Sequence, residues 1–297
     1  MRLRPLALPL VVSTLLAAPA SAQDFWKHWG DGRAELDGYA LVQPRYGATR
    51  KGSAVLVFVT EDFSDSLRVK ADPGRHPSAD VFPVLKLNAV RRFGTGIYDY
   101  AVMTSTFLRV APGWPLAKVS FSSQEWCGHV WHQLVPRGGQ LAGLFHSYFD
   151  GAADGSDALD LPAGGVAEDA LPVLVRGWNG ALAGPGQTRT VPLLPSLLWA
   201  RLQHRPLAWT TATLTRARAT SRVTVPAGTF EATVYDVVVA DGRRLSFAVE
   251  TAPPFRLLRQ TGPDGERLEL TGSTRLAYWQ LNKPGDEKHR REIGLGR

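Results

Sequence analysis

Runs of alternating apolar and polar residues, separated by turns rich in glycine and proline, recur along most of the chain. In residues 53–60, for example, the many β-branched side chains are typical of a buried strand. Short turns can join antiparallel strands, whereas parallel strands need long crossovers. The pattern predicts a mainly β protein with about ten to twelve strands and a few short helices. We expect one large antiparallel sheet or an incomplete β-barrel.

Four stretches depart from this alternation. Residues 150–165 are rich in Gly, Ala and Asp and are predicted to form a mobile loop, whereas residues 166–178 fit a helix with Pro172 in its first turn. Residues 193–202 are apolar and fit a helix or a strand equally well. The charged residues 283–297 are predicted to form a frayed tail.

The first 22 residues have the composition of a secretory signal peptide. Arg2 and Arg4 precede an apolar run that is too short to span a bilayer alone, and Ala20, Ser21 and Ala22 resemble a cleavage site. No later segment approaches the run of about 18 apolar residues that a membrane helix needs. We therefore expect export, cleavage after Ala22, a periplasmic location and no transmembrane segment.

The remaining chain, residues 23–282, is long enough for a single β-rich domain, and a subdivision would fall near residues 150–190. With one cysteine, the chain cannot form an internal disulfide, so burial and backbone pairing must stabilise it. The formal charge of +7 is scattered along the sequence and forms no basic block. We therefore expect no nucleic-acid partner, and we expect a monomer.

The densest group of chemically useful side chains lies in residues 118–133, with the sequence K-V-S-F-S-S-Q-E-W-C-G-H-V-W-H-Q. If this stretch is one strand, its period of two puts Glu125, Cys127 and His129 on the same face. These three are the catalytic candidates. The candidates for ligand binding are Gln124, Trp126, Trp131 and His132.

Three interpretations of this stretch remain open. Cys127 could act as a nucleophile with His129 as its base. Alternatively, Cys127 and His129, with His132 or His146, could bind zinc or copper, although no second pair of ligands is evident and no cofactor is predicted. The third interpretation is structural or ligand-lining, because cysteine is often a small buried hydrophobe and tryptophans mark packed regions.

The C-terminal third contains V-T-V-P-A-G-T-F-E-A-T-V-Y-D-V (223–237), L-S-F-A-V-E (245–250) and P-F-R-L-L-R-Q-T-G-P-D-G-E-R-L-E-L (254–270). These segments resemble uncharacterised bacterial periplasmic proteins related to the lipoprotein-localisation half-barrels (LolA/LolB-like). The resemblance implies an incomplete barrel around an apolar cavity, with helices over its mouth. Such a cavity suits acyl chains, because a concave apolar site buries most of a ligand.

The earlier half contains V-L-K-L-N (84–88), G-I-Y-D-Y (96–100) and F-S-S-Q-E-W-C-G-H (121–129). It resembles exported bacterial proteins of unknown role, some of which carry the label septum formation inhibitor Maf. True Maf enzymes are cytoplasmic nucleotide pyrophosphatases with a Ser- and Arg-rich loop after the first strand. This chain lacks that loop, so we do not predict that activity.

The sequence therefore favours a non-enzymatic, exported protein that binds an apolar or lipid-like ligand, an envelope protein or another envelope component. The alternative is a metal- or thiol-dependent hydrolase centred on Cys127, His129 and Glu125. No G-x-S-x-G, H-E-x-x-H or phosphate-binding glycine loop occurs, which argues against several common enzyme classes.

Overall fold

The computed structural model describes residues 22–296, so the predicted signal peptide lies outside the described residues apart from Ala22. The first half of the chain is a short helix followed by an antiparallel meander, in which each strand pairs with the next. The elements are α1 (Ala22–Trp29), β1 (Ala34–Arg45), β2 (Ala48–Ser64), β3 (Val81–Thr95), β4 (Tyr98–Arg109), β5 (Leu116–Glu125), β6 (Gly128–Arg137), β7 (Gln140–Ser147) and β8 (Gly155–Asp160).

The second half has mostly shorter strands, and helical turns interrupt them. Its first strand is followed by a 3-10 turn, Glu168–Ala170, that leads into a one-turn helix. The elements are β9 (Val166–Ala167), α2 (Leu171–Leu174), β10 (Thr188–Leu194), α3 (Leu197–Leu202), β11 (Thr210–Arg216), β12 (Ser221–Val225), β13 (Gly228–Val239), β14 (Arg244–Glu250), β15 (Leu257–Thr261) and β16 (Arg267–Leu276).

All the strands belong to one open sheet with the order β8-β7-β6-β5-β4-β3-β2-β1-β16-β15-β14-β13-β11-β10-β9, and β12 pairs with β13 alongside it. The two halves of the chain meet where β1 pairs with β16. Every pairing is antiparallel except the short parallel contact of β9 with β10. The prediction of a mainly β chain with one large antiparallel sheet is confirmed. No helix within residues 22–296 is long and apolar enough to cross a bilayer.

One continuous hydrophobic core fills the inner face of this sheet. Buried side chains from both halves, such as Phe58 and Phe247, pack with Leu171 and Leu198 of the helical segment that covers them. The space enclosed beneath this segment is a cavity of about 70 Å³, which is room for only a few water molecules. This cavity is too small for the acyl chain that the half-barrel resemblance implies.

Two local predictions differ from the structure, and one stretch that the sequence left open is now assigned. The helix predicted for residues 166–178 is replaced by β9, a 3-10 turn and the short α2. The ambiguous stretch 193–202 contains both candidate structures, because it divides at Pro195 into the end of β10 and α3. The predicted loop 150–165 contains β8, which pairs with β7.

The charged tail is docked and not frayed, at least as far as residue 296. Its 3-10 segment Asp286–Ile293 crosses β1 and β16, and Ile293 is buried. The Thr271 hydroxyl donates a hydrogen bond of 2.7 Å to the Ile293 carbonyl oxygen. Gly38 and Gly272 lie under the crossing, where a Cβ atom would collide with the tail backbone. The two glycines therefore provide the space for the tail.

Candidate functional site

The stretch that carries Cys127 forms two strands, and the prediction of a single strand is wrong. β5 ends at Glu125, β6 begins at Gly128, and Trp126 and Cys127 form the two-residue turn between them. The Cys127 backbone N–H donates a 2.7 Å hydrogen bond to the Glu125 carboxylate, which closes the turn. Because the chain reverses here, Glu125, Cys127 and His129 do not share one face.

The turn sorts the candidate side chains into three places. Residues directly opposite each other in an antiparallel pair lie on the same face of the sheet, so the strand register assigns each residue outside the turn to a face. The outer face carries Gln124, His129 and Trp131, the tip of the hairpin carries Trp126 and Cys127, and the inner face carries Glu125 and His132.

The outer face has a continuous row of side chains across β3 to β7. Each residue of the row stands directly opposite the next one on the neighbouring strand. Trp131 and His146 stack at one end of it, with ring centroids 5.9 Å apart and an angle of 24° between the planes. In strand order the row is Val90, Met103, Ser122, Trp131 and His146.

A second row lies two residues further along the same strands, and it consists of Arg92, Ala101, Gln124 and His129. Tyr148 extends this row, because its backbone N–H donates to the His129 carbonyl oxygen at 3.1 Å. Together the two rows line an open cleft of about 690 Å³. This volume is within the range of about 300–1,000 Å³ that is usual for ligand sites. We call it the outer cleft.

The outer cleft is apolar on one side and polar on the other. Val90, Met103 and the Trp131 ring supply the apolar part, whereas Arg92 and the amide and imidazole of the second row supply the polar part. At the edge of the cleft, His146 Nδ1 lies 3.3 Å from the Asp154 carboxylate. The arrangement can therefore hold a ligand that has both an apolar portion and a hydrogen-bonding or anionic group.

Cys127 is exposed at the hairpin tip, outside the residues that line the outer cleft. A hydrogen bond with Glu125, together with desolvation and the charge of that carboxylate, raises the pKa of the Cys127 thiol. The thiolate is the form that attacks a substrate or binds a metal, so a raised pKa disfavours both roles. Within residues 22–296, no group of three or more His, Cys, Asp or Glu side chains is arranged to hold a metal ion.

His132 points to the inner face, away from Trp131. Its Nε2 atom lies 2.6 Å from the Asp157 carboxylate on β8, and its ring meets Phe145 edge-on. This arrangement ties the last strand of the meander to β6. The catalytic and metal roles considered for Cys127, Glu125 and His129 stay predictions that the geometry does not favour.

Most residues of the outer cleft were not among the sequence candidates. Arg92, Met103, Tyr148 and Asp154 belong to different strands or loops and follow no motif. Each occupies an ordinary position on the polar face of an alternating strand or in a turn. Only the pairing register brings them together, and a register between distant strands cannot be read from alternation alone.

The inner face also holds a buried ion cluster that the sequence did not reveal. Glu35 and Asp37 lie two residues apart on β1, and neither side chain has solvent access. Arg176, from the segment after α2, places its Nη2 atom 2.7 Å from the Glu35 carboxylate. The same guanidinium donates to the carbonyl oxygens of Pro254 and Phe255 at 2.8 and 3.0 Å. Arg176 therefore joins both halves of the sheet.

The pKa values of the two carboxyls in this cluster are shifted in opposite directions. Burial opposes ionisation of Glu35, but the charges of Arg176 and His28 lower its pKa. Burial and the neighbouring charge of Glu35 raise the pKa of Asp37 well above its ordinary value. The fold therefore favours the ionised form of Glu35 and disfavours the ionised form of Asp37. His28 lies 3.3 Å from Glu35 and stacks on Trp178, which anchors α1.

A second cluster of buried polar side chains lies beside the small internal cavity. The Arg243 guanidinium donates to Glu168 at 2.8 Å, yet burial raises the pKa of Glu168 to about 7 despite the opposing effect of this charge. Asp169 accepts hydrogen bonds from the Ser196 hydroxyl and the Leu197 backbone N–H at 2.7 and 2.9 Å. These bonds attach the start of α3 to the segment that covers the core.

Comparisons with known proteins assign no family to this chain and give no information about the outer cleft. No family model and no curated protein matches the chain. A beta-barrel-like protein of the domain of unknown function DUF1849 from Brucella abortus has a similar structure, with 11% identity and a TM-score of 0.47, over 82% of this chain and 98% of that one. A DUF1089 family protein from Pseudomonas aeruginosa is similar at 11% identity and a TM-score of 0.33, over 58% of this chain and 82% of that one. Likenesses this distant carry no inference about function.

Proposed function

We propose that this chain is an exported, periplasmic, non-enzymatic protein that binds an anionic amphiphile of the cell envelope in the outer cleft. The observation that carries the proposal is the row containing the stacked Trp131 and His146, which lies directly beside the row containing Arg92. An aromatic surface next to a cationic group matches a ligand with an apolar portion and an anionic head.

The apolar portion of the ligand would lie on Val90, Met103 and the Trp131 ring. Methionine adapts its shape to irregular apolar surfaces, and tryptophan provides a large rigid contact area. The size of the outer cleft, about 690 Å³, suits a ligand with a short chain or ring system better than it suits a whole diacyl lipid.

The head of the ligand would face the second row. Arg92 can form charge-assisted hydrogen bonds with a phosphate or carboxylate, while Gln124 and His129 can donate further hydrogen bonds. Burying a charged head without such partners would cost more than the apolar contacts gain. The polar row therefore selects anionic amphiphiles over neutral ones.

The outer face is a better ligand site than the interior. The half-barrel resemblance favours lipid-like ligands, and the proposal keeps that ligand class. The internal cavity of about 70 Å³ is too small for an acyl chain, so the ligand would lie outside the sheet. Export to the periplasm rests on the predicted signal peptide and is part of the proposal.

Isothermal titration calorimetry with lysophosphatidylglycerol, kept below its micelle concentration, tests the proposal. We expect saturable binding to the wild-type chain and weaker binding of lysophosphatidylcholine. Trp131→Ala removes the apolar surface and should weaken binding about tenfold to a hundredfold. Arg92→Met keeps the apolar stem but removes the charge, and should reduce the preference for the anionic head.

Trp279→Ala is the matched control, because Trp279 is a solvent-exposed tryptophan that lies after β16, outside the outer cleft. Its binding should equal that of the wild type. The proposal is wrong if lysophosphatidylglycerol does not bind, or if Trp131→Ala and Trp279→Ala bind it equally well.

A further inference from the structure

One end of the sheet presents large apolar side chains at successive hairpin tips. β1, β3, β5 and β7 run in the same direction, so the connections that follow them lie at the same end. The exposed fractions of the tip residues are 58% for Tyr46, 85% for Ile97, 72% for Trp126 and 76% for Tyr148. We call these four residues the rim.

The rim accounts for nearly all of the strongly exposed apolar side chains in the described part of the chain. Five large apolar residues there are more than half exposed, and four of them are rim residues. The fifth, Leu67, lies after β2 at the opposite end of the sheet. Scattered single residues would need no explanation, but their concentration at one end does.

Turn chemistry does not account for these residues. Two-residue hairpin turns favour Gly, Asn and Asp, whereas this end uses Tyr, Ile and Trp beside Gly47 and Gly96. Tyr46 adopts a φ of 54°, a backbone conformation that is unfavourable for a bulky residue. The side chains at the tips therefore serve something other than the turns themselves.

The tips at the β1 side of the rim are held in position by their neighbours. The Tyr46 hydroxyl hydrogen bonds with those of Tyr100 and Tyr98 at 2.9 and 3.3 Å. The Tyr98 ring lies 6.4 Å from the Trp126 ring. Arg45 donates to the Leu202 carbonyl oxygen at 2.9 Å, which joins the first tip to α3. This part of the rim is therefore preorganised for contact.

Basic residues accompany the same side of the rim. Lys51 and Arg92 are exposed on the strands that flank the first two tips, and Arg205 is exposed just after α3. Asp99 is an acidic neighbour of Ile97, and Asp150 follows Tyr148 at the far end. Positive charge thus lies mainly beside Tyr46 and Ile97, which is the side that would approach an anionic surface.

The shape of the rim favours a fluid surface over a protein partner. Tyr46, Ile97 and Trp126 each lie in a two-residue turn whose flanking residues are paired within the sheet. Few unpaired backbone groups would therefore enter a lipid headgroup layer with these three side chains. Tyrosine and tryptophan are the residues most enriched at membrane interfaces.

We propose that the rim docks the protein on an anionic bilayer surface, with Tyr46, Ile97 and Trp126 at the level of the lipid headgroups. Apolar insertion and attraction of the nearby basic residues to anionic lipid act together in such binding. The proposal does not depend on ligand binding in the outer cleft. Tyr148 and Arg92 belong to both surfaces, but Tyr46, Ile97 and Trp126 lie outside the outer cleft and Trp131 lies outside the rim.

Co-sedimentation with two kinds of vesicle tests this proposal. The anionic vesicles contain phosphatidylglycerol mixed with phosphatidylethanolamine, and the neutral vesicles contain only phosphatidylcholine. The wild type should bind the anionic vesicles more tightly, and added salt should weaken that binding. Ile97→Ser and Trp126→Ser should each reduce affinity about tenfold, and the double variant should lose more. Leu67→Ser, at the opposite end, is the matched control and should bind as the wild type does.

Three outcomes would overturn the proposal: no binding of the wild type to anionic vesicles, equal binding of Ile97→Ser and Leu67→Ser, or a wild-type dimer that the rim variants convert to monomers in size-exclusion chromatography with light scattering. The last outcome would identify the rim as a self-association surface. Ile97→Ser should still bind lysophosphatidylglycerol as the wild type does, and Trp131→Ala should still bind vesicles, so failure of one proposal is distinguishable from failure of the other.

Discussion

β5 and β6 contribute one face to the hydrophobic core and the other face to the outer cleft. On the inner face, Phe121 and Leu134 are almost completely buried in the common core. On the outer face, the neighbouring residues Ser122 and Trp131 line the outer cleft. Successive side chains alternate between faces, so one of two adjacent residues packs in the core while the other lines the outer cleft.

Charged groups follow the same division. On the inner face, Glu35 and Glu168 are buried and each is held by an arginine from another part of the chain. On the outer face, Arg92 and His129 line a cleft that is open to solvent. A buried charge must be paired to be tolerated, whereas a charge in an open cleft remains available to a ligand. We infer that the inner charges organise the fold and the outer ones bind.

The largest difference between the faces should come from truncating one aromatic ring on each. Phe121→Ala should lower the free energy of unfolding by about 3–5 kcal/mol, because it leaves a cavity in the core. Trp131→Ala should lower it by about 1 kcal/mol or less, since its ring is only partly buried. Urea denaturation measures both, and equal losses would contradict the division between the faces.

The ion cluster tests whether the inner charges are structural. Arg176→Met leaves the Glu35 carboxylate buried without its partner and should cost about 3–5 kcal/mol in urea denaturation. Glu35→Gln combined with Arg176→Met removes both charges and should cost less than Arg176→Met alone. If the double variant costs the sum of the two single changes, the charges do not interact as described.

Glu168 should make stability depend on pH. Its pKa in the folded protein is about 7, compared with an ordinary value of 4.5. The folded protein therefore binds this proton more tightly, so the stabilisation is complete below pH 4.5 and is lost as the pH rises through 7. The effect is up to about 3 kcal/mol. Burial also raises the pKa values of Asp37 and Asp169, which adds to the same trend.

Chemical denaturation at about pH 5 and about pH 8 measures this contribution. Glu168→Gln keeps a hydrogen-bond acceptor for Arg243 but removes the titrating group. Its free energy of unfolding should fall less between the two pH values than that of the wild type. Parallel profiles for the two proteins would mean that Glu168 titrates at its ordinary pKa.

The smallest effect should come from Cys127→Ser. Cys127 lies exposed at a hairpin tip, and its backbone N–H, which closes the turn with Glu125, is retained in this variant. We expect the free energy of unfolding to change by about 0.5 kcal/mol or less. Lysophosphatidylglycerol affinity should equal that of the wild type. A large loss of binding would instead favour the thiol-dependent alternative.

The fold was more predictable from the sequence than the site. Alternation and turn residues predicted most strands of the meander, and the predicted strand at residues 53–60 lies within β2. Two strands were hidden because their sequences look like loop or helix: β8 lies in a Gly- and Asp-rich stretch, and β9 is only two residues long. Such short strands are fixed by pairing with neighbours and not by their own propensities.

The set of site residues could not be predicted from any single strand, because it depends on where the chain turns and how the strands pair. The sequence identified Gln124, His129 and Trp131. However, it placed His129 on one face with Glu125 and Cys127, and it grouped Gln124 and Trp131 with Trp126 and His132, because the two-residue turn was not recognised. Neither Trp126 nor Cys127 is a typical turn residue, so nothing in the pattern marked the reversal. The buried ion cluster was not predicted, because Arg176 is far from Glu35 and Asp37 in the sequence.

The most direct test of the central claim is native mass spectrometry of the protein recovered from bacterial periplasm, compared with its Trp131→Ala and Trp279→Ala variants. A ligand held in the outer cleft predicts a surplus mass on the order of a few hundred daltons on the wild type and on Trp279→Ala. The surplus should vanish on denaturation and should be absent from Trp131→Ala. A wild-type protein without surplus mass, or a surplus that Trp131→Ala retains in full, would contradict the account.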